Sequence, residues 1–186
     1  MAAKVNWFGL AGGISAVFLI VISIFVPWWR LMIGDNIVTA NVSPVYTNFD
    51  FKGSSFTIPL LFALNIGCII LLAVGGIVIL VYSLKPDASY SKVLLKSGYW
   101  QPLFAVIVFI VGLVAMTFVV RSVWSIDVPL IGAGLTTLPA NLTQGATVNV
   151  LMEAGFQWPF ILALAAAAFC IAAKLYDKKM VSPKAV

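Results

Sequence analysis

The chain contains four long apolar runs, and none of them includes a lysine, arginine, aspartate or glutamate. The runs cover residues 8–26, 58–84, 102–120 and 156–173. A membrane core about 30 Å thick requires roughly 20 apolar residues in a helix that rises 1.5 Å per residue. The whole chain is 62% hydrophobic and 9% charged, whereas soluble domains are about 25% charged. The sequence therefore predicts an integral membrane protein whose 186 residues form one domain of four transmembrane helices.

Lysine and arginine are distributed unequally between the two sides that these helices define. The richer side contains Lys4, Lys85, Lys92, Lys96, Lys174, Lys178, Lys179 and Lys184. The other side contains Arg30, Lys52 and Arg121. Because positive residues accumulate on the cytoplasmic side of a membrane, we expect both termini and an inner loop at 85–99 to be cytoplasmic. Two outer loops, at 31–57 and 121–155, would then be extracellular on a protein of the cell membrane.

Both outer loops are rich in β-branched and aromatic residues. Apolar and polar residues alternate in parts of the stretch 36–56, and the stretch 146–151 continues the pattern in the second loop. This composition is typical of short strands, and a sheet would satisfy the extended backbone. The predicted fold class is an all-α transmembrane four-helix bundle with a small extracellular β-sheet built from the two outer loops.

Each outer loop also contains one sequon for N-glycosylation, at Asn41-Val42-Ser43 and at Asn141-Leu142-Thr143. An acceptor asparagine must lie on the extracytoplasmic side of the membrane. The positions of Asn41 and Asn141 therefore agree with the topology, and they are candidate glycosylation sites.

Small residues and one amide are the main packing features of the apolar runs. Gly9 and Gly13 have the GxxxG spacing that allows helices to approach closely, either within one molecule or between copies. Asn65 is the strongly polar residue well inside a run, and it is expected to form an interhelical hydrogen bond. A transport path is the other interpretation of such a residue.

The residue types that carry most enzyme chemistry are scarce. The chain has no histidine, which removes the commonest metal ligand, general base and haem ligand. Cys68 and Cys170 both lie inside apolar runs, and no phosphate-binding loop or nucleophile motif occurs. We therefore expect no enzymatic activity, no cofactor or metal, no nucleic-acid partner and no small-molecule substrate.

Three short stretches at the predicted helix ends resemble the claudins. They are Pro27-Trp28-Trp29-Arg30, Val119-Val120-Arg121, and Glu153-Ala154-Gly155 followed by Trp158. Claudins have a similar Pro-x-Trp-Arg stretch after the first helix, an arginine closing the third, and a glutamate and glycine before the fourth. The likeness extends to the layout of four helices, cytoplasmic ends and a long first outer loop.

The first outer loop departs from the claudin pattern, because it has neither the Gly-Leu-Trp sequence nor the cysteine pair found there in claudins. The chain thus resembles a distant member of the claudin and peripheral-myelin-protein-like superfamily. Membership implies a left-handed four-helix bundle topped by a small sheet. Trp29, Arg30, Arg121 and Glu153 each lie next to an apolar run, so we expect them near the outer interface. From this placement and the claudin pattern we expect Glu153 to pair with one of the arginines. The alternative is that all three charged groups are solvated or contact lipid headgroups.

These features predict a non-catalytic structural or interaction component of a membrane. Its partners would be the lipid bilayer and either other copies of itself or other membrane proteins, as in claudin-like self-assembly or adhesion. The alternative is a small accessory subunit of a larger respiratory, transport or secretion assembly. Small-residue faces that point outward from the bundle would favour the alternative.

Overall fold

The structure is a computed structural model, and it describes residues 5–34, 38–51, 54–56, 59–124, 126–138 and 148–181. The helices are α1 (Trp7–Phe25), α2 (Pro59–Leu84), α3 (Ser91–Gly98), α4 (Gln101–Trp124) and α5 (Trp158–Val181). The strands are β1 (Trp29–Ile33), β2 (Val38–Val42), β3 (Thr47–Phe51), β4 (Ser54–Phe56), β5 (Gly132–Leu138) and β6 (Val148–Phe156).

Four helices, α1, α2, α4 and α5, are long and apolar enough to cross a membrane. They coincide with the four predicted runs, but two of them extend further into the charged flanks. Helix α4 continues beyond residue 120 to Trp124, and α5 continues beyond residue 173 to Val181. A helix can continue beyond its apolar run, because helix formation does not require apolar residues and the first flanking residues, Arg121 and Lys174, are good helix formers.

The predicted inner loop at 85–99 contains the short helix α3, which the sequence analysis did not anticipate. Its Ser91, Leu95 and Gly98 are buried, whereas Lys92 and Lys96 point away from the bundle. A helix of two turns carries too few residues for its period to stand out from a loop. Tyr99 and Trp100 then form the turn between α3 and α4.

The strands form one antiparallel sheet in the order β4-β3-β2-β1-β6-β5. Its first four strands come from the first predicted outer loop and the other two from the second. In β1 the side chains of Trp29, Leu31 and Ile33 are buried, and Arg30 on the other face is exposed. This alternation gives the sheet an inner face, which shares a hydrophobic core with α1, α2, α4 and α5, and an exposed face.

Helix α1 packs closely between α2 and α5 through its glycines. A Cβ atom added at Gly13 would lie 3.0 Å from the carbonyl oxygen of Gly76 in α2. One added at Gly12 would lie 3.0 Å from the backbone nitrogen of Cys170 in α5. The small residues of α1 are therefore used for packing within the chain.

A buried hydrogen-bond network joins α1, α2 and α5 at the end of the bundle opposite the sheet. Asn6 caps α1 by accepting a hydrogen bond from the Gly9 backbone N–H (3.1 Å). The Asn6 amide nitrogen donates to the Tyr82 hydroxyl and to the Ala173 carbonyl oxygen, both at 3.0 Å. The Tyr82 hydroxyl donates in turn to the Asp177 carboxylate at 2.7 Å. Asn6 is completely buried, so this network fixes the start of α1 against both neighbours.

Replacement of Gly13 by alanine should destabilise the bundle. The added methyl carbon would lie 2.6 Å from Leu80 Cγ as well as 3.0 Å from the Gly76 oxygen, and overpacking of this kind costs about 1–3 kcal/mol. Thermal unfolding in detergent micelles measures the effect. Gly67→Ala is the matched control, because no atom lies within 4 Å of the position of its added carbon apart from its chain neighbours and the backbone of its own helix turn. Equal melting temperatures for the two variants would contradict the close packing of α1 on α2.

Candidate interaction surface

The sheet is attached to the bundle at Trp28, which is completely buried. The chain leaves α1 at Val26 in an extended conformation, as expected for a residue that precedes a proline. The indole N–H of Trp28 donates a hydrogen bond to the Ser23 hydroxyl of α1 at 2.8 Å. Its ring lies against Phe109 of α4 and Phe160 of α5, with centroid distances of 4.9 and 6.1 Å. Trp28 thus contacts three of the four long helices.

The backbone of Trp28 connects the same point to β2 and to the residue that follows β6. The Trp28 N–H donates to the Val42 carbonyl of β2 at 2.9 Å, and the Trp28 carbonyl accepts from the Gln157 N–H at 2.8 Å. The Ser43 hydroxyl donates to the Ser23 carbonyl at 2.6 Å. That carbonyl lies in the last turn of α1, where helices leave acceptors without partners. The end of α1 is therefore satisfied by the loop that follows β2.

Trp29 was expected at the outer interface because of its position at the end of the first run. The structure places it on the inner face of the sheet, completely buried within the protein. Its indole N–H donates to the Leu130 carbonyl at 2.7 Å. Trp29 therefore connects β1 to the segment that leads into β5, and it orients the second loop relative to the first.

Asn65 was expected to form a hydrogen bond with another helix. Its amide nitrogen instead donates to the Thr47 hydroxyl of β3 at 2.7 Å. Asn65 lies within about two turns of the start of α2, at the sheet end of the bundle, so a strand is within reach. Both side chains are buried, and the bond joins β3 to α2 of the bundle.

The ion pair of the predicted charged cluster involves a different acid from the one expected. Arg121 Nε lies 3.0 Å from the carboxylate of Asp127, and both side chains are largely exposed. Arg30 and Glu153 lie on the exposed face of adjacent strands, and Arg30 is directly opposite Gly155, two residues from Glu153. Such diagonal neighbours have Cα atoms about 7–8 Å apart. An attraction between Arg30 and Glu153 stays a prediction.

Arg30 also influences a tyrosine beside the sheet. Burial raises the pKa of Tyr46 above its usual value, and the positive charge of Arg30 partly opposes that rise. The phenol therefore stays neutral at physiological pH.

The first sequon lies in the middle of the sheet. Asn41 is half-buried on β2, directly opposite Arg30 of β1 and Asn48 of β3. Its side-chain oxygen is buried and accepts no hydrogen bond, and the hydroxyl of the sequon residue Ser43 is bonded to α1. The folded chain thus leaves little space around Asn41. Glycosylation there stays a prediction, and Asn141 lies outside the described residues.

The exposed face of the sheet has a polar centre and an apolar end. Charged and amide side chains of β1, β2 and β3 form the centre, namely Arg30, Asn41, Asn48 and Asp50. At the end formed by β5 and β6, Leu135 is directly opposite Leu151, and these side chains are 80% and 48% exposed. Exposed apolar side chains that adjoin one another on a surface can form part of a contact site.

Comparison of the sequence with protein-family models gave no match, and comparison with curated proteins gave none either. The resemblance to the claudin superfamily therefore stays a prediction. The arrangement of the chain has to be interpreted from its own geometry.

Loss of the hydrogen bond between Asn65 and Thr47 should loosen the sheet from the bundle. Asn65→Leu and Thr47→Val preserve the side-chain shapes, and each should destabilise the protein by about 1–3 kcal/mol, because a buried polar group loses its partner. The double variant should cost less than the sum of the single variants, because it leaves no unpaired group. Urea or thermal unfolding of the four proteins in one detergent measures the coupling. Strictly additive effects would mean that the bond contributes nothing.

Proposed function

We propose that this chain is a non-catalytic membrane protein that acts as a structural or interaction component, and that it binds protein partners through the exposed face of its sheet. The observation that carries the proposal is the rigid attachment of that face. Trp28, Trp29 and Asn65 each connect the sheet to the bundle or to the second loop through hydrogen bonds, of which those of Trp28 and Asn65 are buried and that of Trp29 is partly buried. Ordering a flexible loop on binding costs free energy, and a surface fixed in advance avoids that cost.

The chemistry of the face supports contact with protein. Its centre offers charged and amide groups that select a partner, and its end offers exposed leucines that contribute affinity. Distant membership of the claudin superfamily would agree with self-assembly or adhesion. In this proposal the protein lies in the cell membrane with the sheet outside and both termini in the cytoplasm, as the lysine distribution predicts.

The packing of the small residues bears on the alternative, an accessory subunit held by its helices in a larger assembly. Gly12 and Gly13 of α1 face α5 and α2, and Ala163, Ala166 and Ala173 of α5 are buried in the bundle. The residues that point outward from α1 include Ile14, Phe18 and Phe25. Large apolar side chains suit contact with lipid, whereas close association between helices in membranes favours small ones. The outward side of α1 therefore gives the accessory-subunit alternative no support.

Site-specific photo-crosslinking in the native membrane tests the proposal. A photoreactive residue at position 151, on the exposed face, should crosslink to protein. The same residue at position 18 on the outward side of α1 is the matched control, because Leu151 and Phe18 are similarly exposed, at 48% and 56%. We expect position 18 to react with lipid only.

The proposal is contradicted if position 151 gives no protein adduct, because the exposed face then binds no partner. If position 18 also crosslinks to a larger membrane protein in that case, the result is the one expected of an accessory subunit.

A further inference from the structure

The β5 edge, defined here as the side of Gly132–Leu138 that faces away from β6, ends the sheet within the described residues. Residues 131–135 are all exposed, including Ile131 at 70% and Leu135 at 80%. A strand that pairs on one side only presents a row of backbone donors and acceptors to a second chain.

Proteins usually protect such an edge, and the strand β5 itself has none of the sequence features that do so. Natural edge strands are short, or they carry charged residues or proline that prevent a further strand from pairing. β5 is seven residues long and contains neither a charged residue nor proline. The strand at the opposite end of the sheet, β4, has only three residues. The β5 edge is therefore the one suited to accept a strand.

Resting on the proposed function, we propose that the partner at this edge is a second copy of the chain, with the two β5 strands paired antiparallel about a two-fold axis at Leu135. Leu135 is the middle residue of β5. The axis then places each small residue opposite a larger one of the second copy: Gly132 opposite Leu138, Ala133 opposite Thr137, and Gly134 opposite Thr136. When two copies of the strand run in opposite directions, the small side chains of one therefore lie opposite the larger side chains of the other.

The exposed face gains a continuous apolar row in this arrangement. Leu151 of β6 is directly opposite Leu135 of β5 in each copy. Pairing about the axis brings the two Leu135 side chains together. A row of four leucines then crosses four adjacent strands: Leu151 and Leu135 of one copy, followed by Leu135 and Leu151 of the other. Cross-strand apolar neighbours stabilise a sheet, and the exposed area of Leu135 is covered by its counterpart.

Charge is compatible with pairing between identical copies. Glu153 is the charged residue directly opposite β5, where it borders Ala133. The two-fold axis places the Glu153 residues of the two copies at opposite ends of the paired strands, on strands that are not neighbours. Their repulsion is therefore screened by solvent. β5 itself carries no charge, and the carboxylate of Asp127, which lines a pocket beside Ala133–Thr136, is paired with Arg121.

Cysteine crosslinking tests the position of the axis. Antiparallel partners have Cα atoms about 4.5–5.5 Å apart, within the range for a disulfide. Leu135→Cys should therefore form a covalent dimer on mild oxidation in the membrane. Asn48→Cys is the control, because Asn48 is also exposed on the same face but lies on β3. The native Cys68 and Cys170 are buried and should not interfere.

Charge exchange at the same position tests whether the pair forms between identical edges. Leu135→Lys or Leu135→Glu places like charges directly opposite each other across the axis, and each should weaken self-association by about tenfold or more. Co-expression of the two variants with different tags should restore a mixed dimer. Compared as monomers at low protein concentration, both variants should melt at the wild-type temperature, because the side chain they replace is largely exposed.

The outcomes separate this inference from the proposed function. Equal crosslinking of the two cysteine variants, or unchanged self-association of Leu135→Lys, would overturn the pairing of β5 strands. If the wild-type protein is monomeric but position 151 crosslinks to another protein, the pairing is wrong and the proposed function stands. If the protein is monomeric and position 151 gives no protein adduct, both are wrong.

Discussion

The burial of Trp28 at the junction of the bundle and the sheet is the constraint on which the rest of the structure depends. Its ring packs against Phe109 of α4 and Phe160 of α5, and its indole N–H donates a hydrogen bond to α1. Its backbone is hydrogen-bonded to Val42 and Gln157. A tryptophan buries 150–250 Å², and a buried N–H without a partner is costly. Any displacement of the sheet would therefore break packing and hydrogen bonds at the same time.

The four helices leave little freedom for that junction to move. Glycines bring α1 into backbone contact with α2 and α5, and Asn6 fixes its other end. The exposed face of the sheet thus keeps a constant position relative to the membrane-spanning part. A protein with this construction is suited to holding a contact surface in place, and its stiffness is the physical basis of the proposed role in interactions.

Much of the architecture could be predicted from the sequence, because the apolar runs and the alternating loops each reflect one local preference. The four long helices follow from run length, and the sheet follows from composition. The partners of individual side chains could not be predicted in this way. Asn65 bonds to Thr47 and Arg121 to Asp127, and both pairings depend on how the loops fold back over the bundle.

The residues that attach the sheet were also missed by sequence analysis. Trp28 resembles an interfacial aromatic residue in sequence, and Ser23 and Ser43 resemble ordinary polar interruptions. What distinguishes them is that two hydroxyl groups at the end of α1 bond to backbone carbonyls and to an indole. The short helix α3 was not predicted for a different reason, because its two turns are too short to show a helical period in the sequence.

The network at Asn6 has a consequence for biosynthesis. The amide of the sixth residue donates to the carbonyl of Ala173 and, through Tyr82, is linked to Asp177. During translation α1 enters the membrane long before α5 exists, so this polar group has to keep water, lipid headgroups or a chaperone as a temporary partner. Helix α1 can therefore reach its final state only after α5 has been made. Closure of this end of the bundle should accordingly be a late event that follows the synthesis of α5.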